Sequence, residues 1–206
     1  MRSIPTARLL AFGSLVVACF CSEGCAIERP VQPENSDLKP PVIFGRVLAI
    51  VMGKTSRSYE PRVRFFELMN LQTKERFSVD VGSEDKVFML PVPGGEYELT
   101  RVQIGEGPFL SMADYATRFD VAGGQLTYVG TWRFGIDTPR YDRMMVFSAV
   151  HDLEDQARAQ KALLAQHPAL NGQAMGTVLP SPTEADARLY EVMPYPRYQS
   201  YFRRHF

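Results

Sequence analysis

The sequence predicts a mainly β protein, an antiparallel β-sandwich of about seven to eight strands followed by a C-terminal helical extension. Residues 42–150 form short apolar runs rich in Val, Phe, Tyr, Leu and Ile, separated by turn residues. Several runs alternate with period two, so that Phe77, Val79 and Val81 share one face of a strand. No cysteine follows Cys25, so we expect an apolar core rather than disulfides to stabilise the fold.

The first residues have the pattern of an export signal. Arg2 and Arg8 give a positive segment, and residues 9–18 give an apolar one. Val16-Val17-Ala18-Cys19 then resembles the lipobox of bacterial lipoproteins, in which a signal peptidase cuts before the cysteine and the cysteine is acylated. The resemblance implies that residues 1–18 are a lipoprotein signal peptide and that Cys19 carries palmitate and tethers the protein to a membrane.

Two alternatives remain for this N-terminal region. A plain signal peptide cut near Ala26 would release a soluble protein. An uncleaved membrane span is disfavoured, because the uncharged run of residues 9–21 is shorter than the ~20 residues that a spanning helix needs. Cys21 and Cys25 could pair or bind metal as a lone Cys-x-x-x-Cys, but so short a motif indicates neither.

Residues 19–41 are predicted to form a Pro-rich tether. Pro30, Pro33, Pro40 and Pro41 stand among polar residues with no apolar period, a composition that favours a semi-extended spacer. The whole chain has 23 Lys and Arg against 23 Asp and Glu, and removal of the signal leaves a slight acidic excess. Nucleic acid is therefore not an expected partner.

Eight strands are predicted between residues 42 and 150. Their ranges are 42–51, 62–69, 76–81, 86–90, 96–104, 117–121, 125–134 and 143–150. Glycine-rich turns, Pro93-Gly94-Gly95 and Ala122-Gly123-Gly124, separate neighbouring strands and are typical of hairpins or other strand connections.

Two segments resemble known proteins. Residues 88–99, Phe-Met-Leu-Pro-Val-Pro-Gly-Gly-Glu-Tyr-Glu-Leu, are similar to the F-x-L-x-x-P-G-x-Y-x-L hairpin of carboxypeptidase-regulatory-like and transthyretin-like β-sandwiches. Residues 124–130, Gly-Gln-Leu-Thr-Tyr-Val-Gly, resemble a segment of bacterial lipoproteins of unknown function that carry such a sandwich. The resemblance implies a fold and no activity.

Two helices are predicted in residues 151–193 and are expected to pack on the sandwich. Asp152 can cap the first, which runs through an alanine-rich segment and ends at Pro168. Ser181-Pro182-Thr183-Glu184 has the form of a capping box for the second. Its apolar residues follow a helical spacing until Pro194, namely Ala185, Leu189, Val192 and Met193.

No catalytic motif is found, so we predict no catalytic residue, no metal, no cofactor and no enzymatic activity. The nucleophile elbow, the H-E-x-x-H motif, the Walker loop and the dinucleotide fingerprint are all missing from the sequence. His151, Glu154 and Asp155 would lie near one another on a helix and could contribute to a metal site. A helix start with acids in its first turn explains the same three residues.

The candidate binding element is the aromatic and basic tail, residues 194–206. The residues singled out are Tyr195, Arg197, Tyr198, Tyr201, Phe202, Arg203 and Arg204. Tyrosine and arginine dominate binding hot spots, which favours another envelope protein or a glycan as partner. Alternatively, the aromatic side chains pack onto the protein's own sandwich and cover an edge strand.

Taken together, these features predict an exported, lipid-anchored, non-enzymatic protein of the cell envelope, facing the periplasm or the outer membrane. We expect it to be a binding or structural module, with the membrane as its first partner. A soluble periplasmic adaptor or assembly subunit that uses the tail is the alternative, and an unrecognised hydrolase is a third hypothesis.

Overall fold

The computed structural model describes residues 41–53, 58–81, 86–123, 125–137 and 143–192. This part of the chain is mainly β, with eleven strands in two sheets and one α-helix, α1 (Leu153–Gln166). A short 3-10 turn, Pro168–Leu170, follows the helix. The predicted signal peptide, nearly all of the tether and the aromatic tail lie outside the described residues.

The strands in chain order are β1 (Val42–Val51), β2 (Pro61–Asn70), β3 (Arg76–Asp80), β4 (Val87–Pro91), β5 (Gly95–Glu106), β6 (Phe109–Val121), β7 (Leu126–Ile136), β8 (Met144–Val150), β9 (Met175–Thr177), β10 (Glu184–Arg188) and β11 (Tyr190–Glu191). Sheet I has the order β10-β8-β7-β1-β4, with β9 also paired to β7. Sheet II has the order β11-β6-β5-β2-β3. Both sheets are antiparallel except where β7 pairs with β1 and with β9, which are parallel.

The eight predicted strands correspond to β1–β8, and the ends of β1 are those predicted. The prediction for β6 was wrong in length, because the strand begins at Phe109 rather than at Thr117. Ser111, Ala113 and Tyr115 all face the core in this earlier part. Small and polar side chains on the inward face hid the alternation in the sequence, although the period of two continues unbroken.

The two sheets enclose one apolar core. Trp132 of β7 lies at its centre and is fully buried. Its ring lies 5.0 Å from that of Phe66 and 6.0 Å from that of Phe119, both in sheet II. Within sheet I the ring lies 5.2 Å from that of Phe88. The Trp132 indole N–H donates to the Val129 carbonyl at 2.8 Å, so burial leaves no unpaired donor on this side chain.

A bulge at Gly130 sets which side chains of β7 enter the core. The pairing of β7 with β1 shifts between Phe44 and Arg46, and Gly130 has a φ of 92°. Before the bulge Tyr128 faces the outside of sheet I, whereas after it Trp132 faces the core. The extra residue reverses the alternation and thereby places Thr131 on the outer face.

Helix α1 covers part of the outer face of sheet I. Ala159 and Leu163 pack with a second buried cluster, whose strand residues are Val42, Phe44, Leu126 and Tyr128. The predicted N-cap is confirmed, since the Asp152 carboxylate accepts from the amides of Glu154 at 3.0 Å and Asp155 at 3.2 Å. The helix continues to Gln166, two residues before Pro168.

The prediction of a second helix is wrong. Residues 184–188 form β10 beside β8, and residues 190–191 form β11 beside β6. Ala185, Ala187 and Leu189 alternate with period two, and they pack against the core on one face. The helical spacing was therefore ambiguous, and the unpaired edges of β8 and β6 stabilised the extended form. The segment joins the two sheets along one side of the molecule.

The two glycine-rich turns are connections between sheets rather than hairpins. β4 belongs to sheet I and β5 to sheet II, so the hairpin that the sequence resemblance implied at residues 88–99 does not form. The Tyr97 hydroxyl donates to the Pro93 carbonyl at 2.7 Å and fixes this crossing. β6 and β7 likewise lie in different sheets. Glycine permits the sharp change of direction but does not select which strands pair.

Candidate interaction surface

The site residues singled out in the sequence lie outside the described residues. These are the lipidation residue Cys19 and the tail residues Tyr195, Arg197, Tyr198, Tyr201, Phe202, Arg203 and Arg204. Their roles therefore stay predictions. The sites that the structure does describe are ion pairs between elements and one strongly apolar end of the molecule.

The histidine and the two acids considered for a metal site point in different directions. His151 Nε2 lies 2.7 Å from Gln156 Oε1, and its ring packs 6.0 Å from that of Tyr128. Glu154 is exposed and lies 3.5 Å from Arg158. Asp155 instead turns beneath the helix. Among the residues that the structure describes, no group of three or more His, Cys, Asp or Glu side chains could hold a metal ion.

A buried ion pair joins α1 to sheet I. The Asp155 carboxylate accepts from the Arg46 guanidinium and, at 3.0 Å, from the Thr131 hydroxyl. The Tyr128 hydroxyl lies 3.1 Å from Thr131 Oγ1 and extends the network, and burial raises the pKa of Tyr128. The bulge at Gly130 and the position of Asp155 in the first turn of the helix bring these side chains together. The arrangement holds the helix against the sheet.

A second buried ion pair joins the two sheets at one end. The Arg143 guanidinium, just before β8, pairs with the Glu106 carboxylate at the end of β5. A second nitrogen of Arg143 donates to the Ser111 hydroxyl of β6 at 2.9 Å. Both charged side chains are 10% exposed. This contact places the start of β8 beside the end of β5.

The outer face of sheet II carries ion pairs and hydrogen bonds between neighbouring strands. Arg101 of β5 pairs with Asp114 of β6 at 3.0 Å, and Arg118 of β6 pairs with Glu98 of β5 at 2.8 Å. Glu67 of β2 accepts from the Thr100 hydroxyl at 2.8 Å. Cross-strand pairs of this kind stabilise a sheet modestly.

One end of the molecule carries most of the exposed large apolar side chains that the structure describes. On sheet I these are Ile50, Val51, Met52 and Met144, and on sheet II and its edge they are Tyr59, Phe109 and Tyr190. We call this set the apolar end. The other exposed large apolar residues in the described ranges, Leu153 and Met175, lie in α1 and β9.

Strand register places these residues at the same end. Val51 of β1 lies opposite Ile136 of β7, and Ile136 lies opposite Met145 of β8. In sheet II, Phe109 lies opposite Glu106. Because Arg143 pairs with Glu106, the ends of the two sheets meet here. β1 begins at the opposite end of the body, at Val42.

Sequence reasoning missed the apolar end. Ile50 and Val51 end the predicted strand 42–51 and Met52 follows it, and no interaction role was predicted for them. Phe109 lies between the predicted strands 96–104 and 117–121 and was given no role. The available signal for exposed residues was an apolar run at the end of a strand that continues without alternating with polar residues.

No family model, curated protein or solved structure matches this chain. Within the described ranges, no helix has the length and apolar character needed to cross a membrane.

Proposed function

We propose that this chain is an exported, lipid-anchored and non-enzymatic protein of the bacterial cell envelope. Its folded part, a β-sandwich of the carboxypeptidase-regulatory-like or transthyretin-like kind, would act as a binding or structural module facing the periplasm or the outer membrane. The observation that carries the proposal is the lipobox-like Val16-Val17-Ala18-Cys19 after a positive and then an apolar segment.

The arrangement of the body supports a tethered module. β1 begins at Val42, directly after the Pro-rich segment, and lies within sheet I between β7 and β4. The chain thus passes from the tether straight into the folded body. As an extended polyproline II segment, residues 20–41 would span about 70 Å. Such a spacer lets the body stand clear of a membrane surface and reach a partner beyond it.

The buried charges support a structural rather than a catalytic use of the described residues. The Arg46–Asp155 pair fixes α1 to sheet I, and the Arg143–Glu106 pair fixes the two sheets to each other. Both pairs lie between packed elements. In each pair, removal of the arginine would leave the carboxylate buried without an opposite charge. We therefore assign both pairs to stability.

Metabolic labelling with radioactive palmitate tests the anchor. The wild-type chain should take up label, and Cys19→Ala should abolish it because the acylated thiol is lost. Cys21→Ala and Cys25→Ala are matched controls and should label as the wild type does. An unlabelled wild type, or label that is lost in Cys25→Ala and kept in Cys19→Ala, would refute the assignment to Cys19.

A further inference from the structure

We propose that the edge of β3 that faces away from β2 pairs antiparallel with the same edge of a second copy of this chain. Sheet II then continues from one copy into the other across a two-fold axis at Ser78. The inference goes beyond the proposed function and depends neither on export nor on lipidation at Cys19. It rests on the exposed edge, on the register that its backbone groups require, and on the charges that this register brings together.

β3 is an edge strand of sheet II. It pairs with β2 on one side, and no strand of the described residues pairs with its other side. Proteins usually protect such an edge with proline, an inward-pointing charge, a bulge or a covering segment. Residues 76–80 contain no proline, pair with β2 without a bulge, and turn the apolar Phe77 and Val79 towards the core. The strand thus carries none of the first three protections.

The edge of sheet I on the same side of the sandwich is protected. β4 forms this edge and pairs with β1. The Val92 amide donates to the Pro41 carbonyl at 3.2 Å, so even-numbered residues of β4 bond to β1 and odd-numbered ones face away from it. Pro91 is therefore at the outward edge, where it has no N–H to donate. On the other side of the sandwich, residues 181–192 connect the two sheets. Among the described strands, β3 has the edge best suited to accept another strand.

Alternate residues of β3 present their backbone groups at this edge. The Val81 amide donates to the Arg64 carbonyl at 2.8 Å, and the Asn70 amide donates to the Glu75 carbonyl at 2.9 Å. Between these two bonds the pairing runs without a register shift. Odd-numbered residues of β3 therefore bond to β2, because hydrogen-bonded positions alternate along an antiparallel pair. The N–H and C=O groups of residues 76, 78 and 80 point away from β2.

These backbone groups determine the register of a symmetric pair. Two residues that exchange hydrogen bonds must both have their groups at the edge, so residues 76, 78 and 80 of one copy must lie opposite members of the same set in the other. A two-fold axis at Ser78 satisfies all three positions. Ser78 then lies opposite Ser78, and Arg76 of each copy lies opposite Asp80 of the other. The contact uses the same surface on both copies, so it closes as a dimer.

Charge favours the same register. Arg76 and Asp80 are both exposed, and the two-fold pairing places opposite charges on facing strands at each end, which stabilises a pair. One nitrogen of Arg76 contacts Glu67 of β2 at 2.8 Å, but the Arg76 side chain is 51% exposed and its guanidinium has further N–H groups. A shift by two residues would lose both ion pairs and one of the three backbone pairs. This self-complementarity favours a second copy as the occupant of the edge.

Charge reversal followed by mixing tests the register. Asp80→Arg places like charges opposite each other at both ends of the dimer, and so does Arg76→Asp. Each variant alone should dimerise about tenfold more weakly than the wild type. An equimolar mixture should recover dimers that contain one chain of each kind, because both cross-strand pairs are again of opposite charge. Native mass spectrometry of the full chain, released from detergent, separates the mixed dimer from the two homodimers by mass.

Asp120→Arg is the matched control. Asp120 is exposed on β6, three strands from β3 on the same face of sheet II. This variant should dimerise as the wild type does, and thermal unfolding of all three variants checks that each is folded. A monomeric wild type, a loss of dimer that mixing does not recover, or an equal loss in Asp120→Arg would overturn the proposal.

Hydrogen exchange at single-residue resolution tests the pairing in the unaltered chain. The amides of residues 76, 78 and 80 should exchange several-fold more slowly at high protein concentration than at low, because the dimer covers them. The amides of Phe77 and Val79 bond to β2 in either state and should not change. Exchange that is independent of concentration, or that slows equally at odd and even residues, would contradict the pairing. Protection that requires an added envelope protein would overturn the assignment to a second copy.

Discussion

Asp155 shows how one carboxylate determines where α1 lies. Its side chain is 11% exposed and accepts from both the Arg46 guanidinium and the Thr131 hydroxyl. Removing one partner of such a pair leaves the other charge buried without compensation. Replacing both partners with apolar residues removes the cost of burying the charges. The pair is therefore sensitive to single substitutions and tolerant of a double one.

Asp155→Ala should lower the free energy of unfolding by about 3 kcal/mol, because Arg46 stays buried without its partner. Urea denaturation followed by circular dichroism measures this change. The combined variant Arg46→Met with Asp155→Leu should recover most of the loss.

Arg158→Ala is the matched control for that measurement. Its pair with Glu154 lies in the same helix, but the two side chains are 65% and 84% exposed. We expect a change of no more than about 0.5 kcal/mol. If Asp155→Ala cost no more than Arg158→Ala, the buried pair would not be what holds α1 on sheet I.

Among the elements, β7 depends on Gly130 for its orientation in the sheet. A Cβ at this position would lie 2.7 Å from Leu179 Cδ2 and 3.0 Å from the Val150 carbonyl oxygen, at a positive φ. The neighbouring strand is equally close, because a Cβ on Gly45 would lie 2.6 Å from the Gly130 oxygen. The bulge therefore requires glycine on both strands, at Gly45 for space and at Gly130 for conformation as well.

Gly130→Ala should lower the free energy of unfolding by about 1–3 kcal/mol, because it combines a positive φ with a backbone contact. Gly123→Ala is the control, since its Cβ would meet nothing within 4 Å and its φ is not positive. Thermal unfolding of both variants distinguishes them. Equal melting temperatures would show that the bulge relaxes without cost.

Period-two alternation identified most strands of the fold in advance. Phe77 and Val79 are buried on one face as expected, and the run from Val42 to Val51 is one strand of sheet I. Strand pairing was not predictable in the same way, because a turn such as Pro93-Gly94-Gly95 allows either a hairpin or a crossing. The choice depends on contacts far apart in sequence, such as those of Phe66 and Phe88 with Trp132.

The second predicted helix failed for a related reason. Alanine and leucine at residues 185–189 satisfy both a helical spacing and an alternating one. Local propensity does not include hydrogen bonds to other strands. Residues 184–188 form such bonds with residues 144–148 at the edge of β8. For α1, local signals were sufficient, because the Asp152 cap and the alanine-rich sequence agree with its packing on sheet I.

At the scale of the whole molecule, residues 181–192 close one side. Arg118 of β6 exchanges hydrogen bonds with Ser181, β10 pairs with β8, and β11 returns to β6. The two sheets are thus connected through one segment along this side. The same segment brings the chain to the apolar end, while β1 begins at the opposite end of the body, at Val42.

Three buried tyrosines make the whole fold sensitive to alkaline pH. Burial raises the pKa values of Tyr97, Tyr115 and Tyr128 above the ordinary value of 10.0, and for Tyr115 the Asp186 charge adds to the effect. A group whose pKa is raised by folding stabilises the folded state below its unfolded pKa and loses that contribution as pH rises. Stability should therefore fall above about pH 10.

Alkaline titration measures this effect, with tyrosinate absorbance and circular dichroism recorded on the same samples. We expect the buried tyrosines to ionise together with unfolding. In Tyr115→Phe, the loss of stability between neutral and alkaline pH should be smaller than in the wild type. Tyr59→Phe, at a half-exposed position, should leave this loss unchanged. Ionisation of every tyrosine near pH 10 with a native dichroism spectrum would contradict the expectation.

From sequence alone, a candidate site can be proposed only where its signal is local. The lipobox-like Val16 to Cys19 is a short linear signal and can be recognised without a fold. The apolar end combines residues from several strands of both sheets, and strand register alone brings them together. Its recognition therefore required the topology.

The most direct test of the account is mass spectrometry of the N-terminal peptide of the mature protein, isolated from envelope membranes. Trypsin releases this peptide by cleavage after Arg46, because the Arg29–Pro30 and Lys39–Pro40 bonds resist it. The account predicts that it begins at Cys19 and carries a diacylglyceryl group on the thiol and an acyl chain on the amine. An unmodified chain beginning near Ala26, or one that retains Met1, would contradict the proposal of a lipid-anchored envelope protein.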